Sequence, residues 1–227
     1  MGPIEPKGKS GVSVRVKPTR NTRRMTLRVS QLDGRVTLTV PRGSSLRSVQ
    51  KFVDSHSDWI ETAQKRVPDA VAIAPGARIP FEGRLLDIVA GSGRAAKIMN
   101  DHIVVPATSP GRALAARLKL MAREILQRDC RHFANELGRD LGRITLRDTR
   151  SRWGSCSAKG DLMFSWRLIM APPEVLTYVA AHECAHLVEM NHSSAFWGLV
   201  EDLAPNHEPH KAWLKTNGAG LHAYRFD

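Results

Sequence analysis

The residues best suited to chemistry form one short run, His182-Glu183-Cys184-Ala185-His186, in the second half of the chain. Four residues of α-helix turn through about 400°, so His182 and His186 project from one face, one turn apart, and can share a metal ion. Glu183 lies about 100° around the helix from His182, which leaves its carboxylate beside the ion. From there it can take a proton from metal-bound water. The run therefore predicts a metal-dependent hydrolase.

A catalytic zinc ion normally has three protein ligands and a water, so this pair of histidines needs a third partner. His192 follows His186 by six residues, and it can face the ion if the chain turns near Asn191, a residue type that tolerates left-handed backbone angles. Glu201 and Asp202, on the next predicted helix, are the competing third ligands. Zinc suits imidazole ligands and lowers the pKa of a bound water to roughly 7. We expect Zn²⁺ as the cofactor.

Several other conspicuous side chains lie in the same half of the chain. Arg152 could stabilise the oxyanion that develops on a substrate during attack by water, and Trp153 could line the same cleft. In the alternative interpretation, Trp153 belongs to the core and Arg152 is its surface neighbour. His207, His210 and His222 lie in a polar stretch and are interpreted as surface histidines.

Apolar periodicity and capping residues predict the elements that would position these side chains. A long helix is expected from Ser109-Pro110 to about residue 137, and the motif helix is expected over 172–190. Ser193 can cap a further helix. Strands are predicted over 144–147 and 162–166, and the second of these could offer its edge to an extended peptide. This half, 109–227, is predicted to be one domain with helices packed on a small antiparallel sheet.

The preceding region, 1–108, is predicted to be rich in β structure. Asp33-Gly34 is a hairpin signal, and the first 40 residues are expected to form a small antiparallel sheet. Ser44 or Ser45 can cap a helix that runs to about Arg66. Alternation of apolar and polar residues predicts strands at 12–16, 26–29, 36–40, 79–81, 85–89 and 103–105.

The formal net charge of +12 is concentrated at the front of the chain. Residues 1–66 hold 14 Lys and Arg against 5 Asp and Glu. Such a surface could attract nucleic acid, nucleotides or an anionic membrane. In the plainer interpretation it is a solvated surface, because the charges alternate with apolar residues and no interleaved aromatic side chains offer stacking for bases.

Cysteine usage and hydropathy bear on the cellular compartment. Cys130, Cys156 and Cys184 form no C-x-x-C pair and are expected to be reduced thiols. The start of the chain, Met1 to Gly8, has no apolar stretch suited to a signal peptide, and no later segment approaches the roughly 18 apolar residues of a membrane span. We expect a cytoplasmic protein with no membrane association. The sequence indicates no particular oligomeric state.

Taken together, several short runs resemble the YgjP-like metallopeptidase domain family, which is related to SprT-like zinc proteases. The matching runs are Ser151-Arg152-Trp153-Gly154-Ser155-Cys156-Ser157, Trp166-Arg167-Leu168, Ala171-Pro172-Pro173-Glu174, His182-Glu183 with His186, Asn191-His192-Ser193 and Phe196-Trp197. The resemblance also covers the arginine-rich amino-terminal strands, and it departs from the family at Cys184, where Leu is common. It implies an α+β fold with a zincin or gluzincin-like lobe and zinc on His182, His186 and His192.

These observations favour a zinc metallopeptidase in which Glu183 assists the attack of zinc-bound water on a peptide bond of a peptide or protein substrate. One alternative is a metal-dependent hydrolase of nucleotides or other phosphoanhydrides, with basic residues holding phosphate. A second alternative is a nucleic-acid-binding protein with structural zinc. That reading fits less well, because structural sites usually close with four protein ligands, mostly cysteine.

Overall fold

The computed structural model describes residues 11–227, and these divide into a compact unit that ends at Asp69 and a second unit, Ala70–Asp227. The first ten residues, from which the lack of a signal peptide was inferred, lie outside the described part of the chain. Within that part, no helix is both long enough and apolar enough to cross a lipid bilayer. Helices and small sheets are mixed along the chain, so the fold is α+β.

The first unit contains a small sheet followed by two helices. Its elements are β1 (Val14–Thr19), β2 (Thr26–Val29), β3 (Val36–Pro41), α1 (Leu46–Ser55) and α2 (Ser57–Lys65). Ser45 caps α1, as predicted, by accepting a hydrogen bond from the Ser48 N–H at 3.2 Å. The single helix predicted to run to Arg66 is instead divided at His56, which is not helical.

The sheet of the first unit is mixed, so the prediction of an antiparallel sheet is wrong for β1. The Asp33-Gly34 turn joins β2 to β3 as an antiparallel hairpin, but β1 lies on the other side of β3 and runs parallel to it. β3 is the central strand, and its alternate residues Val36, Leu38 and Val40 are all buried on one face of the sheet.

The second unit contains the motif helix. Its strands are β4 (Val71–Ala72), β5 (Arg78–Phe81), β6 (Arg84–Gly91), β7 (Lys97–Ile98), β8 (His102–Pro106), β9 (Ile144–Arg147), β10 (Gly154–Cys156), β11 (Leu162–Ser165) and β12 (Tyr224–Arg225). Its α-helices are α3 (Pro110–Glu136), α4 (Pro173–Ala185), α5 (Ser194–Leu203) and α6 (His207–Asn217), with 3₁₀ turns at Trp166–Met170 and Gly218–His222.

The boundary between the units differs from the predicted boundary between residues 108 and 109. Ile79, Ile103 and Val105, from strands before residue 109, are buried in the same apolar core as Leu114 and Leu118 of α3. A division at residue 108 would cut through this core and expose both faces to water.

One sheet of the second unit, in the order β5-β6-β8-β7, supports the start of α4. Its β5–β6 hairpin turns at Glu82 and Gly83, which both have positive φ. The Glu82 N–H donates to the Ile169 carbonyl at 3.0 Å, and a Cβ at Gly83 would lie 3.1 Å from Pro172. The hairpin tip is therefore packed against the residues that lead into α4.

The other sheet, in the order β10-β11-β9, lies beside α4 and is also mixed. A turn at Lys159-Gly160 joins β10 to β11 as an antiparallel pair, but β9 pairs with β11 in parallel. The prediction of a small antiparallel sheet for this region is therefore wrong for β9. Because β11 is the central strand, it cannot offer the free edge that we predicted for 162–166. That strand also ends at Ser165.

The carboxyl terminus is held to the loop before β10 by a buried arginine. Arg167 donates to both carboxylate oxygens of Asp148, at 2.6 and 3.0 Å, and to the carbonyls of Leu221 and Tyr224. Burial raises the pKa of Asp148, but the hydrogen bond and charge of Arg167 outweigh it and hold that pKa below its usual value. A buried guanidinium needs this full set of acceptors.

His222 is buried in this region, so its interpretation as a surface histidine is wrong. Its ring packs against Trp153, with 5.2 Å between centroids. Burial, followed by the nearby charge of Arg167, lowers the pKa of His222 to about 4. The folded protein therefore keeps this imidazole neutral under conditions in which the unfolded chain protonates it.

We predict that His222 makes unfolding pH-dependent. The unfolded imidazole has a pKa of about 6.5, so the stability that neutral His222 contributes is complete above that pH and declines as the pH falls towards 4. Between pH 7 and pH 4, the free energy of unfolding of wild type should fall by about 2 to 3 kcal/mol more than that of His222→Gln. Urea unfolding of both proteins in chelator would measure this difference, and parallel pH profiles would contradict the prediction.

Candidate metal centre

The motif helix is shorter than predicted, and its end creates the site. α4 ends at Ala185, whereas the sequence predicted helix as far as residue 190. The chain then tightens into turns in which the N–H groups of Leu187 and Val188 donate to the carbonyls of Cys184 and Ala185. Because the helix stops here, the following residues can fold back over its last turn.

Three imidazoles meet at this point. The Nε2 atoms of His182 and His192 lie 3.1 Å apart, and one nitrogen from each of His182, His186 and His192 lies within 4.8 Å of the others. Among the histidine, cysteine and carboxylate side chains of residues 11–227, these three histidines form the group that could hold a metal ion. The competing Glu201 accepts instead from Asn206 N–H and pairs with His207.

Hydrogen bonding and burial prepare the imidazoles to act as ligands. The Nδ1 atom of His186 lies 2.9 Å from the Glu189 carbonyl, which can only accept, so Nδ1 carries the proton and Nε2 keeps its lone pair. Burial, followed by the charges of His186 and His192, lowers the pKa of His182 to about 4. Burial also lowers the pKa of His186. Both rings are therefore neutral at pH 7.

α5 holds His192 in place. The Asn191 side chain accepts from the Ser193 N–H at 3.0 Å, and Ser193 caps α5, as predicted, by accepting from the Phe196 N–H at 3.3 Å. Phe196 is fully buried, and its ring lies between 4.5 and 4.9 Å from all three imidazole rings. From the sequence, Phe196 was predicted only to be part of a run that resembles the family, with no role at the site.

A stack of three aromatic rings packs next to His182. His207, predicted to be a surface histidine, lies between Tyr178 and Trp197, with interplanar angles of 10° to each. Its Nδ1 atom is 2.7 Å from a Glu201 carboxylate oxygen. The Tyr178 ring also packs edge-on against His182. Only the spacing of Tyr178 and His182, four residues apart on one helix, could have indicated this stack from sequence.

Glu183 lies next to the histidines in an enclosed environment. Its side chain is buried, and burial raises the pKa of its carboxyl group to about 7, although the positive charge of Arg152 acts in the opposite direction. Arg152 itself is exposed at the end of the loop before β10. The carboxyl is thus poised between its acid and base forms near neutral pH.

A glycine makes room for this carboxylate. A Cβ added to Gly154, the first residue of β10, would lie 2.7 Å from Cδ of Glu183. Side chains do not approach so closely, so an alanine at this position would force the buried Glu183 carboxyl group to shift. The sequence alone indicated no role for Gly154. Trp153, the preceding residue, is half-buried against the core, as the structural alternative for it expected.

The donor set fits zinc. Neutral imidazole nitrogens are ordinary zinc ligands, and two nitrogens bound tetrahedrally at about 2.05 Å lie roughly 3.3 Å apart, close to the separation of the His182 and His192 nitrogens. Three ligands also leave a coordination position open, as catalytic zinc sites do.

The fold and the site define an α+β protein with a three-histidine centre on the end of a helix. The family model for the YgjP-like metallopeptidase domain matches residues 23–217. The chain therefore belongs to the YgjP-like family and carries its metallopeptidase domain, which supports a metal-dependent peptidase.

Solved structures that resemble the chain include the metallopeptidase zymogen of Pyrococcus abyssi abylysin. It is 24% identical to this chain, the match covers 40% of this chain and 92% of that one, and the TM-score is 0.37. A search of curated proteins finds no significant match.

We predict that Gly154→Ala abolishes catalysis without loss of metal. The added methyl group displaces the Glu183 carboxylate, whereas the three histidines lie outside the clash. Peptidase activity should fall by roughly 10²-fold or more, because the carboxylate that we expect to act as the general base is displaced, while the metal content stays at that of wild type.

Gly198→Ala in α5 is the matched control, since a Cβ there meets no atom within 4 Å. Metal analysis and a peptidase assay of both variants test the prediction. Equal activity of Gly154→Ala and Gly198→Ala would show that the glycine is not needed for Glu183.

Proposed function

We propose that the protein is a zinc metallopeptidase that binds zinc through His182, His186 and His192 and uses Glu183 as its general base. The observation that supports this most strongly is the convergence of three imidazole nitrogens within 4.8 Å, beside a buried carboxyl group whose pKa is about 7. A zincin-like arrangement of the lobe is part of the same proposal.

The protein's own groups divide the work of peptide hydrolysis. When bound, zinc supplies a Lewis acid and lowers the pKa of a coordinated water to roughly 7. Glu183 accepts a proton from the attacking water and later donates it to the leaving amine. Its raised pKa suits both transfers, because the same group must be a base first and an acid afterwards. The exposed guanidinium of Arg152 is proposed to stabilise the developing oxyanion.

An extended substrate can pair with β10. This strand bonds to β11 on one side and ends the sheet on the other, and its Gly154 lies against Glu183. A peptide added as a further strand would therefore pass beside the general base. We therefore propose that β10, and not the predicted strand at 162–166, pairs with the substrate, because β11 has a neighbouring strand on each side.

We predict that Glu183→Gln retains zinc and loses activity. The amide has a similar shape but cannot accept the proton, so cleavage of an unfolded protein substrate should fall by roughly 10² to 10⁴-fold. Nucleoside triphosphates offered in parallel test the phosphohydrolase alternative. Activity on triphosphates alone would replace this proposal, and full activity of the variant would exclude Glu183 as the base.

We predict that His192, and not Glu201, is the third ligand. Metal analysis after dialysis should show loss of zinc in His192→Ala, whereas Glu201→Ala should keep one ion per chain, because its carboxylate faces His207. The opposite pattern would reject His192. His192→Ala also serves as the metal-free reference for the activity assays.

A further inference from the structure

A basic cleft lies away from the histidine cluster, between α3 and β9. Its volume is about 750 Å³. Helix α3 contributes Arg123, Gln127 and Arg131, which recur every fourth residue and so share one face of the helix. The opposite wall is formed by residues 141–146. Neither the proposed peptidase chemistry nor the histidine cluster uses these residues.

The β9 side of this cleft is an open strand edge. β9 is the last strand in the order β10-β11-β9, within the part of the chain that the structure describes. Leu162 N–H donates to the Arg143 carbonyl, so this carbonyl points towards β11. In a parallel pair, successive residues alternate in direction, so the backbone groups of Ile144 and Leu146 point away from β11 and towards the cleft. Such an edge is a template for another strand.

The cleft is strongly positive. Arg123, Arg131 and Arg143 are all exposed, and the lining contains no acidic residue. Among residues 11–227, no carboxylate pairs with these three guanidinium groups, whereas the neighbouring Arg128 is paired with Asp129. The Asp161 carboxylate, which is outside the lining, accepts from the Arg143 backbone N–H at 2.9 Å. Unpaired arginines beside a strand edge favour carboxylates on an added strand.

The spacing of the charges matches an extended peptide. Arg123 and Arg131 are eight residues apart on a helix, which is about 12 Å along its axis. In an extended chain, side chains at positions i and i+4 point to the same side and lie about 13 Å apart. Two acidic residues at that spacing therefore match the separation of Arg123 and Arg131 along the helix.

We propose that this cleft docks an extended acidic segment of a partner protein, which adds to the sheet as a strand beside β9. Backbone hydrogen bonds with Ile144 and Leu146 provide the pairing, and the arginines select for acidic side chains. A nucleic acid fits less well, because the lining holds no aromatic side chain for stacking and a strand edge offers no match to a phosphate backbone.

Fluorescence anisotropy tests the proposal with a defined probe. The probe is a labelled, acetylated octapeptide in which Glu alternates with Thr and Val. It is titrated with the zinc-loaded protein of residues 1–227, and mass spectrometry checks that the peptide remains intact. Binding should weaken by about tenfold in the double variant Arg123→Gln, Arg131→Gln, since two charge-assisted contacts are lost. It should also weaken as the salt concentration rises.

Matched controls separate this site from general attraction to a basic protein. The double variant Arg112→Gln, Arg117→Gln removes the same charge from α3 outside the cleft and should bind the probe as wild type does. A probe with N-methyl groups on alternate residues keeps its charge but cannot pair with a strand, and it should not bind.

Several results would overturn the proposal. These are no binding by wild type, equal weakening by both double variants, unchanged binding of the N-methylated probe, or displacement of the probe by a single-stranded oligothymidylate that binds more tightly through the same arginines. Peptidase activity on a neutral substrate should be unchanged in both double variants, which shows that they remain folded.

Discussion

Where helix α4 ends decides whether the three histidines can meet. His182 and His186 share a helix face whatever happens later, but His192 reaches them only because the helix stops at Ala185 and the chain folds back. A helix continued to residue 190 would have carried His192 away from the pair. The Glu189 carbonyl, freed by that early end, orients the His186 ring. The early end of α4 therefore allows His192 to reach the other two histidines and also orients the ring of His186.

Partial burial of His182 and His186 favours their neutral imidazole forms, whereas His192 is exposed. Charging the deeply placed His182 is unfavourable, because Phe196 and neighbouring rings replace water around it. A cation at the meeting point of three lone pairs would compensate for much of this desolvation. The same burial raises the pKa of Glu183, so one environment favours both ligand and base chemistry.

The small sheet beside α4 has two free edges with different surroundings in the described part of the chain. The β10 edge passes Glu183, with only the hydrogen atom of Gly154 between the strand and the carboxyl group. The β9 edge faces arginines of α3 and lies on the far side of the central strand. The peptide proposed for the β10 edge and the acidic segment proposed for the β9 edge rely on the same backbone pairing.

Local signals in the sequence determined much of the fold and of the site. The spacing of His182 and His186 on one helix, the caps at Ser45 and Ser193 and the Asp33-Gly34 hairpin depend on near neighbours in the chain, and all are found in the structure. Recognition of the family also came from short runs of residues, and the family match bears it out.

Tertiary structure decided what depends on distant contacts. The parallel pairing of β1 and of β9, the burial of His207 and His222 and the boundary after Asp69 arise from packing between segments far apart in sequence. Hydrophobic periodicity says which face of a strand is buried, but not which strand lies beside it or in which direction that strand runs. The need for glycine at position 154 also depends on a distant contact, because it arises only where β10 meets the Glu183 side chain of α4.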